Sequence, residues 1–197
     1  MPKIAAVFGS PRRGGNTSIL LREAIRGAKE AGAEVTEIVL RDRKMSPCLE
    51  IYGCKKTGRC VIQDDFHNVM DLILGSRGLM LASPIFFYSV SAHTKILIDR
   101  CQSLWVKKYW IDKVSHGKWE AKRKGLFISL GATKGKKLVE GALLTIRYFF
   151  DVLDTELHKS LLYRSLEEKE DVLTHPEYIE EAYQAGRELA MILKETR

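Results

Sequence analysis

Three short stretches of the chain are almost wholly apolar: residues 3–8, 78–84 and 124–130. A glycine, serine or proline ends or directly follows each of them. Continuous apolar runs of this length are typical of strands that are buried on both faces of a parallel sheet. Residues 34–40 alternate between apolar and polar side chains, and residues 155–162 form a further extended stretch. The pattern therefore predicts five strands.

Apolar residues recur at helical spacing between these strands. The predicted helices run from Ile19 to about Gly32, from Phe66 to Leu74, from Ala92 to Trp105, from Leu138 to Val152 and from Pro176 to Lys194, and residues 107–124 are predicted to be a surface excursion. Strands that alternate with helices predict βαβ units. With right-handed crossovers, the expected fold is an α/β flavodoxin-like three-layer sandwich whose five-stranded parallel sheet has the order 2-1-3-4-5.

Three polar or aromatic segments directly follow predicted strands: residues 10–18, 84–89 and 131–135. In an open parallel sheet, ligands bind outside the carboxyl ends of the strands, near the point where the strand order reverses. Because these segments all follow strand ends, we expect them to converge on one crevice. No internal repeat or low-complexity segment interrupts the pattern.

The first of these segments is rich in hydrogen-bond donors and leads into a helix N-terminus. Unpaired backbone N–H groups and the helix dipole favour phosphate at such a position. Arg12 or Arg13 can add a charge, and the candidate side-chain donors are Ser10, Asn16, Thr17 and Ser18. The simpler alternative is an ordinary βα turn capped by Thr or Ser, but the density of donors favours a phosphate-binding loop.

The spacing of the residues in this loop restricts the class of phosphate ligand that it could bind. It lacks the Gly-Lys-Ser/Thr ending of a Walker A site, and Gly9, Gly14 and Gly15 do not fit the GxGxxG dinucleotide pattern. A terminal monophosphate fits better. Flavin mononucleotide (FMN) is the common cofactor of that kind on a flavodoxin-like sheet.

The second and third segments are candidates for the walls around a flavin ring. Aromatic side chains and backbone amides of the second segment could flank an isoalloxazine ring; its residues are Pro84, Ile85, Phe86, Phe87, Tyr88 and Ser89. The third segment could close another side of the ring with Gly131, Ala132 and Thr133. Core packing or a subunit contact would also explain the aromatic residues. A flavin at a subunit interface would satisfy both interpretations.

The length and the net charge of the chain limit its possible domain organisation and its possible classes of ligand. A chain of 197 residues predicts a single domain spanning 1–197, and the net charge is 32 − 25 = +7. A positive net charge could favour the binding of anionic ligands such as flavin phosphate or NADPH. No helix-turn-helix or zinc-finger spacing supports nucleic-acid binding. Without an apolar run of about 18 residues or a signal peptide, we expect a cytoplasmic protein with no membrane association.

Three of the four cysteines lie in a predicted insertion at about residues 41–65. In a cytosolic chain, cysteines favour metal or redox chemistry over structural disulfides. Cys48, Cys54 and Cys60 lack the C-x2-C spacing of a zinc site, and an iron–sulfur cluster on them needs a fourth ligand. Cys101 lies among apolar residues and is expected to be a core thiol.

These motifs together resemble the NADPH-dependent FMN reductases, and within them the iron–sulfur flavoproteins of archaea and anaerobic bacteria. The matching residues are Gly9-Ser10-Pro11-Arg12 with Gly15-Asn16-Thr17, then Ser46-Pro47-Cys48, the segment from Cys54 to Asp65, and Ser83-Pro84 through Ser91. Cluster-bearing members have C-x2-C-x2-C followed by a fourth Cys. Here Ile51, which cannot ligate iron, stands at the second position, so three of the four ligand positions remain. The candidate metal ligands are Cys48, Cys54 and Cys60, and a cluster on them would need a fourth ligand such as Glu50, Tyr52, Asp64 or His67.

The resemblance implies a homodimeric or homotetrameric FMN-dependent oxidoreductase. Electrons from NAD(P)H, or from a reduced protein donor, would pass through the flavin to a small acceptor such as a quinone, free flavin or oxygen. The cofactor would carry the chemistry, so no catalytic acid or base is expected. The alternatives are an iron–sulfur flavoprotein-type electron carrier without its own NAD(P)H turnover and a flavin- or nucleotide-binding sensor.

Overall fold

The computed structural model describes residues 1–115 and 121–195. The strands are β1 (Lys3–Phe8), β2 (Glu34–Val39), β3 (Gly78–Pro84), β4 (Arg123–Gly131) and β5 (Thr155–Arg164). The helices are α1 (Asn16–Glu30), α2 (Cys54–Thr57), α3 (Phe66–Leu74), α4 (Ala92–Arg100), α5 (Gln102–Val106), α6 (Glu140–Val152) and α7 (Pro176–Glu195). Leu40–Asp42 and Asp171–Thr174 form 3-10 turns, and Lys107–Ile111 forms a π-helical turn.

The five strands form one parallel sheet in the order β2-β1-β3-β4-β5. This confirms the predicted flavodoxin-like α/β fold and its strand order. The register aligns the ends of the central strands, because Phe8 pairs with Ala82 and Ala82 pairs with Ile128. The loops that follow β1, β3 and β4 consequently start at one level of the sheet.

Helices cover both faces of the sheet and divide the core in two. Alternate residues of β1 point to opposite faces: Ile4 and Ala6 pack with residues of α1 and α7, whereas Ala5 and Val7 pack with residues of α3, α4 and α6. The helices α1 and α7 pack closely. A Cβ atom on Gly186 would lie 1.8 Å from the carbonyl oxygen of Ala24, so only glycine fits there.

Several element boundaries differ from the sequence prediction; α6, for example, begins at Glu140 rather than Leu138. Helix α1 begins at Asn16 rather than Ile19, because the polar residues before Ile19 form the first helical turn. The predicted helix 92–105 is broken at Cys101, whose N–H donates to the carbonyl oxygen of Ile98, one residue closer than in an α-helix. Strand β5 continues to Arg164, because its pairing with β4 persists beyond the predicted end at Leu162.

The predicted insertion at 41–65 runs from the end of β2 to the start of α3. It contains only the short helix α2 and a 3-10 turn, and it is otherwise irregular. The predicted excursion at 107–124 includes the π-helical turn and the start of β4, and its residues 116–120 lie outside the described part. Across the described ranges, no helix has the length and apolar character needed to cross a membrane.

Candidate cofactor site

A cavity of about 260 Å³ lies at the carboxyl edge of the sheet. Four segments that follow strands contribute to it, namely the loops after β1, β3, β4 and β5. Its described lining consists of Ser10, Pro11, Arg12, Gly15, Asn16, Thr17, Pro84, Ile85, Phe86, Leu130, Gly131, Ala132, Leu166 and Glu167. The three predicted segments therefore meet at one cavity, as their positions in the sheet require.

The loop after β1 presents a helix N-terminus to this cavity. Gly15 is the N-cap of α1, and Asn16 and Thr17 form its first turn. Backbone N–H groups in a first turn lack intrahelical acceptors and carry a partial positive charge. The side chain of Ser10 folds back to accept a hydrogen bond from the backbone N–H of Arg12, 3.2 Å away. This geometry suits an anion.

Ser18 does not line the cavity, but its hydroxyl helps to decide whether an anionic ligand fits at the start of α1. The oxygen is buried and finds no hydrogen-bond partner in the described part of the chain. A buried hydroxyl without a partner is costly. An oxyanion at the first turn of α1 would supply a partner, so the residues present fit a bound phosphate.

The side chains of Asn16 and Arg12 contact the loop after β5. The amide nitrogen of Asn16 donates to the carbonyl oxygen of Glu168 at 2.8 Å, and its amide oxygen accepts from the N–H of Val172 at 3.4 Å. The Arg12 guanidinium donates to the carbonyl oxygen of Glu167 at 3.2 Å. Both residues line the cavity, and both also connect the two loops.

The loop after β3 is a two-residue hairpin turn. Phe86 and Ser89 exchange backbone hydrogen bonds of 2.9 and 3.0 Å, and the φ angles of Phe87 and Tyr88 are 48° and 62°. Turns of this kind favour Asn-Gly, because two successive residues adopt left-handed backbone angles. Phe86 lines the cavity with Pro84 and Ile85, whereas Phe87, Tyr88 and Ser89 lie outside its lining.

Buried hydroxyl groups form hydrogen bonds at the strand ends from which the loops after β1 and β3 start. The side chain of Ser91 donates to the carbonyl oxygen of Gly9 at 2.5 Å, and its backbone N–H donates to the hydroxyl oxygen of Ser83 at 2.9 Å. The hydroxyl of Ser129 donates to the carbonyl oxygen of Ser83 at 2.7 Å. These bonds connect the carboxyl ends of β1, β3 and β4, and they fix the spacing of the loops that follow.

The loop after β4 contributes Gly131 and Ala132 to the cavity, whereas Thr133 lies outside its lining. The wall formed by Leu166 and Glu167, which follow β5, was not predicted from the sequence. The backbone N–H of Leu166 donates to the carbonyl oxygen of Gly131 at 3.3 Å, so this wall adjoins the previous one. Applying the strand-end rule to the fifth strand as well would have identified it.

No cysteine belongs to the described lining of the cavity. Cys48, Cys54 and Cys60 are half-buried free thiols in the insertion, and the described cavity lining includes none of them. No set of three or more His, Cys, Asp and Glu side chains in residues 1–115 and 121–195 is grouped as metal ligands would be. Cys101 is buried as expected and contacts the sulfur of Met70, and burial raises the pKa of its thiol.

Several curated proteins are similar in sequence. An iron-sulfur flavoprotein of Methanocaldococcus jannaschii is 39% identical over 102 residues, which are 52% of this chain and 53% of the relative. A second iron-sulfur flavoprotein of that organism is 31% identical over 151 residues, covering 75% of this chain and 70% of the relative. A putative NAD(P)H-dependent FMN-containing oxidoreductase of Bacillus subtilis is 32% identical over half of each chain. The chain spans about half the length of the first curated relatives it matches.

Solved structures share the fold at low sequence identity. A flavone reductase superposes with a TM-score of 0.72 at 20% identity, covering 98% of this chain and 63% of the other. An apo NADH:FMN oxidoreductase gives a TM-score of 0.64 at 16% identity, covering 97% and 89%. These likenesses show the fold alone.

The sequence also matches a family model over most of its length. The model describes the NADPH-dependent FMN reductases and aligns with residues 2–153, from β1 through α6. That segment contains the loops after β1, β3 and β4, three of the four that form the cavity. The chain belongs to the NADPH-dependent FMN reductase family.

Proposed function

We propose that the protein is an FMN-dependent oxidoreductase whose flavin occupies the cavity at the carboxyl edge of the sheet. The observation that carries this proposal is that one cavity combines the first turn of α1 with the wall of Pro84, Ile85 and Phe86. A ligand with a phosphate at one end and a flat apolar ring at the other matches both parts. Family membership supports the same ligand.

The phosphate would lie at the N-terminus of α1. Backbone N–H groups there and the hydroxyls of Ser10 and Thr17 would donate to its oxygens, and Ser18 would gain the partner that it lacks. Arg12 would add a positive charge. Asn16 would contribute through its backbone, because its side chain is bonded to the loop after β5.

The ring would lie against the loops after β3 and β4. Pro84, Ile85 and Phe86 would cover one side, and Gly131 and Ala132 another. Phe87, Tyr88, Ser89 and Thr133 would contact the part of the ring that extends beyond the cavity. Bound FMN would supply hydride and electron transfer. The surrounding residues would orient the ring and exclude water from it.

The electron donor would be NAD(P)H or a reduced protein, and the acceptor a small molecule such as a quinone or free flavin. The name of the family and that of the Bacillus subtilis relative support a nicotinamide donor. We further propose a homodimer or homotetramer. The fully exposed Phe87 and the exposed Tyr148 support a subunit contact.

A second candidate is an electron carrier with an iron–sulfur cluster on Cys48, Cys54 and Cys60, and the names of several relatives favour it. Ile51 offers no ligand and is 59% exposed. Iron and sulfide assays on anaerobically purified protein separate the two candidates. Flavin without iron supports the oxidoreductase, and stoichiometric iron and sulfide support the carrier.

Isothermal titration of the apoprotein with FMN and with riboflavin tests the phosphate assignment. Thr17→Val removes the hydroxyl at nearly constant volume and should weaken FMN binding about tenfold, with riboflavin binding unchanged. Thr145→Val is the control, because this hydroxyl lies on α6 and donates to the carbonyl oxygen of Gly141. If Thr17→Val binds FMN as tightly as the wild type does, the phosphate assignment is wrong.

A further inference from the structure

The loop after β5, residues 165–171, packs against the phosphate-binding loop that follows β1; we call it the β5 loop. The Arg12 guanidinium donates to the carbonyl oxygen of Glu167 at 3.2 Å. The side-chain amide of Asn16 donates to the carbonyl oxygen of Glu168 at 2.8 Å. Two neighbouring carbonyl groups of the β5 loop therefore hold two side chains of the phosphate-binding loop.

One peptide group of the β5 loop is held from both sides. The peptide between Glu167 and Glu168 offers its carbonyl oxygen to Arg12. Its N–H donates to the carboxylate of Asp171 at 2.7 Å, and the N–H of Glu167 donates to the same carboxylate oxygen at 2.9 Å. The N–H and C=O of a trans peptide lie in one plane and point in opposite directions. Asp171 thus fixes the direction of the carbonyl group that holds Arg12.

The Asn16 side chain contacts the chain on either side of Asp171. Its amide nitrogen is bonded to the carbonyl oxygen of Glu168, and its amide oxygen accepts from the N–H of Val172 at 3.4 Å. Asn16 begins α1, whose first-turn N–H groups are the proposed phosphate donors. Asp171 itself does not belong to the described cavity lining. Its hydrogen bonds therefore reach the site through other residues.

We propose that Asp171 is a positioning residue for the phosphate of the bound flavin, an inference that rests on the proposed flavin site. Its carboxylate would hold the β5 loop in the shape that keeps Arg12 and Asn16 in place. Arg12 would then present its charge to the phosphate, and Asn16 would keep the first turn of α1 aligned with it. Asp171 lies beyond residue 153, where the match to the family model ends. A residue outside the matched segment would thus strengthen cofactor binding without touching the cofactor.

The charge and the positioning role of Asp171 predict opposite effects. On charge alone, removing a carboxylate near a phosphate should tighten phosphate binding, because like charges repel. Nearby cations reduce this repulsion. Arg41 donates to the carbonyl oxygen of Arg12, and the Lys169 side chain would lie 3.8 Å from a Cβ atom on Gly14. Loss of the bracing bonds should instead weaken phosphate binding, so the sign of the change distinguishes the two roles.

The test measures dissociation constants of FMN and riboflavin by titration of the apoprotein. Asp171→Ala removes both bracing bonds and should weaken FMN binding about tenfold, with riboflavin binding unchanged because riboflavin lacks the phosphate. Asp171→Asn keeps an acceptor oxygen without the charge, so it should restore most of the FMN affinity. Glu170→Gln is the matched control, because it removes one charge from the same loop and neither bracing bond. It should not weaken FMN binding.

The outcomes separate this inference from the proposed function. A wild type that binds no FMN, or that binds FMN no more tightly than riboflavin, overturns the proposed phosphate site and this inference with it. A wild type that prefers FMN leaves the proposed site standing. In that case, Asp171→Ala overturns the inference alone if its FMN binding is unchanged or tighter, or if both flavins lose affinity equally. FMN binding as weak in Asp171→Asn as in Asp171→Ala has the same consequence.

If Asp171→Ala does not fold, amide hydrogen exchange of the wild type decides. Energetic coupling between two sites is reciprocal, so a phosphate that depends on the β5 loop must also stabilise that loop. FMN should therefore slow the exchange of the N–H groups of Glu167 and Glu168 more than riboflavin does. Equal protection by the two flavins contradicts the proposal.

Discussion

The guanidinium of Arg100 forms a two-point ion pair with the carboxylate of Asp64, with distances of 2.6 and 3.1 Å. Arg100 is completely buried at the end of α4. It also donates to the carbonyl oxygens of Ser46 and Ile62, near the two ends of the insertion. One buried side chain thus holds the cysteine-containing insertion against α4.

Removing the negative partner should be costly, because it leaves a buried charge uncompensated. We expect Asp64→Asn to lower the free energy of unfolding by about 3–5 kcal/mol in urea denaturation. Asp99→Asn is the control, since Asp99 forms an exposed pair with Lys95 at 2.7 Å and should cost at most about 1 kcal/mol. Equal losses in the two variants would show that burial of Arg100 has no energetic consequence.

The same pair makes stability depend on pH. Burial acts to raise the pKa of Asp64, but hydrogen bonds from Arg100 and from the N–H groups of Ser46 and Phe66 outweigh it and lower the pKa below its ordinary value. A lowered folded-state pKa stabilises the fold above the ordinary value of about 3.9, and this contribution is lost as the pH falls through the folded-state pKa. The free energy of unfolding should be measured from pH 6 to pH 2. At about pH 4 and below, it should fall less steeply with decreasing pH in Asp64→Asn than in the wild type. Identical slopes would contradict this.

The hairpin turn at Phe87 and Tyr88 is strained, because both residues adopt left-handed backbone angles. Left-handed backbone angles cost a bulky residue about 1–2 kcal/mol each. Replacing the pair by Asn-Gly (Phe87→Asn/Tyr88→Gly) should raise the thermal midpoint of the apoprotein, because this dipeptide prefers such a turn. The same variant should bind FMN more weakly, since it removes two aromatic side chains. A lower apoprotein midpoint would show that the turn is not strained.

Gly9 is required where β1 ends. A Cβ atom there would lie 2.1 Å from the hydroxyl oxygen of Thr94 and 2.9 Å from the carbonyl oxygen of Ala82. Gly9→Ala should therefore lower stability by about 1–3 kcal/mol and disturb the phosphate loop that follows. Gly135→Ala is a suitable control, because its nearest new contacts would be 3.9 Å away. Melting curves of the two variants should differ clearly, and equal midpoints would contradict the packing argument.

Hydrophobic patterning was sufficient to predict the sheet and most of the helices. The bounds of β3 and α3 agree with those predicted, because a strand buried on both faces and a strongly amphipathic helix each have an unmistakable pattern. The break at Cys101 was not predictable, since the apolar spacing continues through it. The start of α1 was missed because Asn16, Thr17 and Ser18 are typical of loops and caps.

The site was predicted in part. The strand-end rule brought three loops to the cavity, but the tether between Asn16 and Glu168 joins residues 152 positions apart and has no local signal. Whether the side chain of Asn16 binds a ligand or another loop depends on tertiary packing. For the same reason, the sequence alone placed Phe87 and Tyr88 near the ring without revealing that their turn is left-handed.

Reconstitution with FMN followed by anaerobic addition of NADPH tests the central claim most directly. After removal of free flavin, the protein should retain one FMN per chain. NADPH, NADH or a reduced protein donor should then bleach the visible flavin absorbance, and a quinone or free flavin should restore it. Loss of the flavin during desalting, or an absorbance that none of these donors changes, would contradict the account.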